Sequence, residues 1–202
     1  MVAIHDRAYT LELLHEQAQK FAHTPTLVSV TEPVWSPGAI ELFRRGRGID
    51  RVFWANRRER VGFGTAYVIQ ESGPERFLQT ELAWNDYLKN AVIIDPGGVG
   101  GPIVFGGFAF DPAHESTSLW RDFPAGRMIL PAAMFTFTGD QTWLTTNLCL
   151  RPDGDFEADL RRLEGILDKL LSSETDNPPD SAHITATQEP RTSDDWQQDV
   201  QY

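Results

Sequence analysis

Residues Arg60 to Gln70 alternate between full and nearly bare side chains. Val61, Phe63, Thr65, Tyr67 and Ile69 stand on one face, and Gly62, Gly64 and Ala66 on the other. A period of two is the period of a β-strand, and the bare face leaves room for another backbone to come close. Ile49 to Ala55 (Ile49, Val52, Phe53, Trp54) reads as the preceding strand, joined through the polar turn Asn56-Arg57-Arg58-Glu59. The two runs predict a β-hairpin. The chain must therefore build a sheet and cover it, which already excludes a helical bundle.

The other segments supply the cover. Thr10 to Ala22 has Leu11, Leu14, Ala18, Phe21 and Ala22 at helical spacing, with Thr10 as an expected N-cap and Pro25 as the stop. Leu27 to Val34 reads as a strand closed by Pro33 and Pro37, and Ala39 to Arg45 as a helical turn ended by Gly46 and Gly48. Pro74 opens a predicted helix from Glu75 to about Ile94, with the proline expected at N1. Ile103 to Phe110 reads as a strand containing Gly106-Gly107. Asp111 to Pro124 is an irregular connection. Met128 to Thr138 and Thr142 to Leu150 form a second hairpin across Gly139-Asp140. Phe156, Leu160, Leu163, Ile166, Leu167 and Leu170 define a helix over Asp155 to Ser172, capped by Asp153 or Asp155. The fold class is α+β, with mixed strands and outer helices.

Charge divides the chain. Its 202 residues carry a formal net charge of −11. From Ser172 to Tyr202 there are seven acids and one base, a net −6, so residues 1–171 carry only −5. Residues 1–171 form the expected globular region and 172–193 an acidic, Pro-containing linker or loop. Residues 194–202 look like the start of a further helix, with Ser193 as cap and Trp196 and Val200 four apart. With 41% hydrophobic residues, six Trp and twelve Phe, the chain has the material for a core. The negative balance argues against nucleic acid as a partner and against an anionic membrane surface. No apolar run reaches 18 residues, and the N-terminus carries no apolar stretch typical of a secretory signal. Cys149 is the single cysteine, which excludes a disulfide scaffold and fits a cytoplasmic protein.

Candidate chemistry is sparse. Gly97 to Gly101 follow a predicted helix and precede a strand, the reverse of a dinucleotide-binding loop, so phosphate binding is disfavoured. His5, His15, His23, His114 and His183 are nowhere spaced three or four apart, which speaks against a histidine metal site. Asp111, His114 and Glu115 cluster after a strand end, but Asp-Pro is also a plain turn signal. Cys149 lies among apolar residues and reads as a small buried hydrophobe. Lys20, Lys89 and Lys169 sit among charged residues on helices, where a lysine is solvated and no base. No catalytic, cofactor-binding or metal-ligating residue is assigned from the residues themselves.

Two segments go further. Asp50-Arg51-Val52-Phe53-Trp54-Ala55-Asn56 followed by Arg60-Val61-Gly62-Phe63-Gly64-Thr65-Ala66 resembles the paired early strands of isochorismate synthases, in which an aromatic pair precedes a turn. Many members have Glu where this chain has Ala55. Val104-Phe105-Gly106-Gly107-Phe108-Ala109-Phe110-Asp111-Pro112, then Trp120, Phe123-Pro124 and Met128-Ile129-Leu130-Pro131, resembles that family's Gly-Gly-Phe-x-Phe-Asp segment and the Leu-Pro strand after it. The likeness runs in order over residues 25 to 150, and Trp196 and Val200 resemble the start of the helix opening the chorismate-binding region.

The resemblance implies the N-terminal portion of an α/β sandwich with two sheets, in which Phe105, Phe108 and Phe110 fill the core between them and Gly106 and Gly107 admit another layer. It implies Mg²⁺-dependent conversion of chorismate to isochorismate, with menaquinone biosynthesis as the expected pathway and siderophore and salicylate metabolism left open by the sequence. The family's catalytic lysine and its glutamates belong to a region expected after Tyr202. None maps onto this sequence, so the chain alone is expected to be inactive. It is also expected to self-associate, or to be complemented by the remaining half. Anthranilate and aminodeoxychorismate synthases are the nearest alternative, but their Leu-Glu-Ser-like segment is missing: Glu71-Ser72 lacks the leucine. A non-catalytic binding or assembly domain derived from the same fold is the third reading.

Overall fold

The structure is a computed structural model and describes residues 7–21, 25–111, 124–139 and 141–172. Along the chain the elements are α1 (Arg7–Phe21), β1 (Thr26–Val34), α2 (Ala39–Arg45), β2 (Arg51–Trp54), β3 (Glu59–Phe63), β4 (Tyr67–Glu71), α3 (Arg76–Lys89), β5 (Val92–Ile94), β6 (Phe105–Phe108), β7 (Gly126–Leu130), β8 (Ala133–Thr138), β9 (Gln141–Leu150) and α4 (Phe156–Leu171). They form a six-stranded sheet in the order β2-β3-β8-β9-β1-β5 and a three-stranded sheet in the order β4-β7-β6. All pairings are antiparallel except β1 with β5. The α+β class is as the sequence implied.

Helices α1, α2 and α4 cover one face of the large sheet. Their apolar stripes, carried by Leu14, Ala18, Leu42, Leu163, Leu167 and Leu170, meet Val28, Val30, Phe63, Phe135, Leu144 and Leu148 of the strands. The Phe63 and Phe135 rings meet edge-on at 6.1 Å, a geometry their quadrupoles favour. Asp155 is the cap of α4, accepting from the Ala158 amide at 3.0 Å. A smaller cluster, Leu27, Leu130 and Cys149 with Tyr67, Trp84, Tyr87 and Leu88, joins the opposite face of the large sheet to the small sheet and α3.

The first hairpin forms as expected between β2 and β3, and the second between β8 and β9. However, the period-two run from Arg60 is not one strand. It breaks at Gly64, whose φ of +65° lies in the left-handed region, and continues as β4 in the other sheet. Met128 to Thr138 breaks likewise at Pro131-Ala132, into β7 of the small sheet and β8 of the large one. Proline has no N–H to extend a ladder. The two breaks lie side by side: the Ala66 amide donates to the Leu130 carbonyl at 2.8 Å. Asn147 of β9 seals the seam, its Nδ2 donating to Pro131 O and its backbone N–H to Ala132 O, both at 2.8 Å.

Other expectations are corrected. The helix predicted to Ile94 ends at Lys89, and Val92–Ile94 becomes the parallel edge strand β5. β-Branched residues lose side-chain freedom in a helix and pack well on a pleated sheet. Pro74 lies before the α3 N-cap, Glu75, and not at N1. Thr10 is buried inside α1, which begins at Arg7, and is no cap. Phe105 and Phe108 are only half-buried and Phe110 is fully exposed, so they do not fill a core between sheets. Gly106 does admit a close backbone, but that of the neighbouring strand: a Cβ there would lie 1.9 Å from the Arg127 carbonyl oxygen. Gly107 faces open space.

Candidate functional site at the sheet crossover

Where the two chain segments pass from one sheet to the other, they leave a cavity and a cleft. The cavity, about 400 Å³, lies between the start of β4, the end of β9 and the first turns of α4. Thr65, Tyr67, Asn147, Arg151, Asp159 and Arg162 line it. The cleft, about 340 Å³, opens between β2–β3 and the small sheet, with Arg51, Gly62, Phe105 and Arg127 in its wall. Thr65 borders both, because the residue after Gly64 is where the chain changes sheets.

The polar groups of the cavity are arranged around Asp159. Its carboxylate accepts from Arg162 Nη1 at 2.8 Å and stands 3.6 Å from Arg151 Nη2. Both arginines are largely exposed at the rim. Asn147 is only 2% exposed, and its Oδ1 has no hydrogen-bond partner among the described residues. Cys149 is also on the wall. Burial pushes its thiol up to about 11, against a smaller opposing pull from the Tyr87 hydroxyl. Tyr87 is itself held above the ordinary phenol value by burial first and by Cys149 second. A neutral thiol is no nucleophile, in agreement with the buried reading of Cys149.

Among the described residues, those weighed from sequence are not brought together. The glycine loop at 97–101 is occupied from within. Asp95 accepts from the amides of Val99, Gly100 and Gly101 at 3.2, 3.1 and 3.2 Å. The N–H groups that could cradle a phosphate already hold a carboxylate. His15 lies on α1, 3.6 Å from Glu157. Lys20 pairs with Glu16, Lys89 with Asp86, and Lys169 donates to Arg47 O. Asp111 lies at the edge of the described residues. His5, His23, His114, His183, Glu115, Trp120, Phe123, Trp196 and Val200 lie outside them, as do residues 173–202 of the predicted linker and helix start.

Sequence reasoning missed the crossover cavity. Its lining comes from positions 65 to 163, and no spacing rule joins residues so far apart. Among the described residues no group of three or more His, Cys, Asp or Glu side chains converges to hold a metal ion. No helix among them is long and apolar enough to cross a membrane.

Comparison with known proteins identifies what this fold and this sparse chemistry belong to. Residues 12–202 match the family described as chorismate binding enzyme. The chain is 29% identical over 211 aligned residues to the isochorismate synthase MenF of Bacillus subtilis (strain 168), covering 97% of this chain and 44% of that protein. Its fold is similar to that of MenF, the menaquinone-specific isochorismate synthase from Escherichia coli, with a TM-score of 0.51 and 17% identity over 84% of this chain and 35% of that one. The chain thus spans less than half the length of the curated relative it matches. With nearly all of its residues inside the family match, the chain belongs to the chorismate-binding enzymes.

Proposed function

We propose that this chain is the N-terminal portion of an isochorismate synthase, contributing part of the scaffold for the conversion of chorismate to isochorismate in menaquinone biosynthesis. The observation that carries the reading is the 29% identity to an isochorismate synthase, sustained over 97% of the chain but reaching only 44% of the relative. On this reading the catalytic and Mg²⁺-binding residues lie in the rest of the enzyme, and the protein works in the cytoplasm. The free surface agrees. Phe77, Leu78 and Leu82 on α3 and Phe110 beyond β6 are all at least half exposed, and among the described residues β6 pairs on one side only. A large exposed apolar patch on a polar domain marks a surface meant to be covered, and the remaining half of the fold is the proposed partner.

Two experiments test this. Purified chain 1–202 with Mg²⁺ and chorismate should form no isochorismate; turnover would show that the catalytic residues are here after all. The reading frame after the Tyr202 codon should continue into a strand resembling Lys-Val-Val-Leu-Ala-Arg and glutamate-rich metal motifs, or those motifs should be encoded by a neighbouring gene. A stop codon with neither would overturn the reading in favour of a non-catalytic binding or assembly domain.

A further inference from the structure

We propose that the acidic segment after α4, Glu174 to Asp180, docks on the arginine cluster where α2 and α4 end, as a salt-sensitive strap that sets the direction in which the chain leaves the folded body. The inference depends neither on the reaction proposed above nor on the exposed apolar surface. It starts from charge. The chain carries −11, yet residues 39–63 hold seven arginines against three acids, a net +4. The structure gathers part of this charge at one place. Arg45 Nη1 donates to the carbonyls of Leu170 and Ser172 at 3.2 and 2.6 Å. Lys169 Nζ donates to Arg47 O at 2.6 Å, and Arg51 Nη1 donates to Phe43 O. Cations are favourable beside the last carbonyls of a helix, so Arg45, Arg51 and Lys169 are accounted for as caps.

Arg44 and Arg47 are not accounted for in this way. Arg44 and Arg45 share a single carboxylate, Glu41. The exposed Arg47 side chain has no partner among the described residues. With Asp50 and Asp168 included, five cations on these two helix ends face three acids. The occupant follows from the chain itself. Ser172, held by Arg45, is followed by Glu174 and Asp176, and a fully extended chain carries them no farther than about 7 and 14 Å from it. The Debye length at physiological ionic strength is about 8 Å, so Glu174 stays within the field of the cluster in any conformation and Asp176 is never far outside it. Asp180 adds a third acid before any Lys or Arg occurs. A single exposed ion pair contributes little. Several pairs suffice on a short tether, which supplies an effective concentration on the order of millimolar.

The test uses the full chain with Ser181→Cys carrying a nitroxide spin label; Cys149 is buried and takes none. At about 0.02 M salt the label should broaden the amide NMR signals of residues 39–51 selectively, and the effect should fall at least about threefold at about 0.5 M salt. It should fall likewise in the triple variant Glu174→Gln, Asp176→Asn, Asp180→Asn. The double variant Arg44→Gln, Arg47→Gln, which keeps Arg45, Arg51 and Lys169 as caps, should lose it too. Amide spectra verify that both variants keep the fold. A mixture of spin-labelled chain with isotope-enriched chain lacking the label should show no broadening. The proposal is overturned if broadening at residues 39–51 is absent or insensitive to salt, or if either charge variant is broadened as the parent is. It is also overturned if the mixture shows the same broadening, which would assign the surface to a second copy of the chain.

Discussion

Gly106 and Cys149 show how far a single position can be read. Glycine in a strand signals a close approach, and the Arg127 carbonyl beneath Gly106 supplies one. The sequence could not say that the approaching backbone is the neighbouring strand of the same sheet. Gly106→Ala forces β6 and β7 apart and should destabilise the chain by about 2 kcal/mol, read as a lower urea midpoint at unchanged slope. Gly107→Ala, facing open space, should cost far less. At Cys149 the apolar neighbours already implied burial. The consequence is a pH effect. The folded thiol titrates at about 11, above its ordinary 9.0, so the folded state holds its proton over that window. Stability from this group is complete below pH 9 and is lost as pH rises through 11, on the order of 2 kcal/mol. Urea titrations at pH 8 and pH 11, on the parent and on Cys149→Ala, measure it; equal losses in both would show that other groups are responsible.

Elements were legible where periodicity was strong and unbroken. Helix α4, with its apolar stripe and Asp155 cap, and the β8–β9 hairpin follow the pattern of their residues. Elements were misread where one continuous pattern spans two structures. Arg60–Gln70 keeps its alternation through Gly64, and Met128–Thr138 keeps its apolar character through Pro131, yet both change sheets there. The period of Arg60–Gln70 survives because each half buries odd-numbered side chains, Val61 and Phe63 in the large sheet and Ile69 in the small one. The apolar run after Asn90 could extend α3 or begin a strand, and pairing with β1 decided it. The glycine loop after β5 is a third case: its glycines suggested a site, and Asp95 closes it. Asp95→Ala removes three hydrogen bonds and should cost about 2 kcal/mol. Hydrogen exchange at Val99, Gly100 and Gly101 should rise by at least about tenfold while exchange in α4 changes little.

At the scale of the whole molecule, the exposed apolar surface is the main departure from an ordinary soluble domain. Phe110 is fully exposed, and Phe77 packs on Phe108 at 4.4 Å while over half of it still faces solvent. Chain 1–202 should therefore bind a hydrophobic dye and self-associate with rising concentration. Leu78→Glu with Phe110→Asp should suppress both without lowering the urea midpoint, and sedimentation velocity would show the difference. A parent chain that stays monomeric at all concentrations would contradict this. The sequence by itself determined the class of fold, the helix and hairpin inventory of residues 7–172 in outline, the inertness of Cys149 and the family resemblance. These rest on local periodicity and short motifs, which neighbouring residues carry together. Only the tertiary structure decided where the chain changes sheets, that the aromatic Gly-Gly segment is the edge strand of the small sheet among the described residues, and that Thr65, Asn147, Arg151 and Arg162 meet around one cavity. Those outcomes depend on contacts such as Pro131 with Asn147 and Ala66 with Leu130, which join separate elements and whose pairing is set by the packing of both sheets at once.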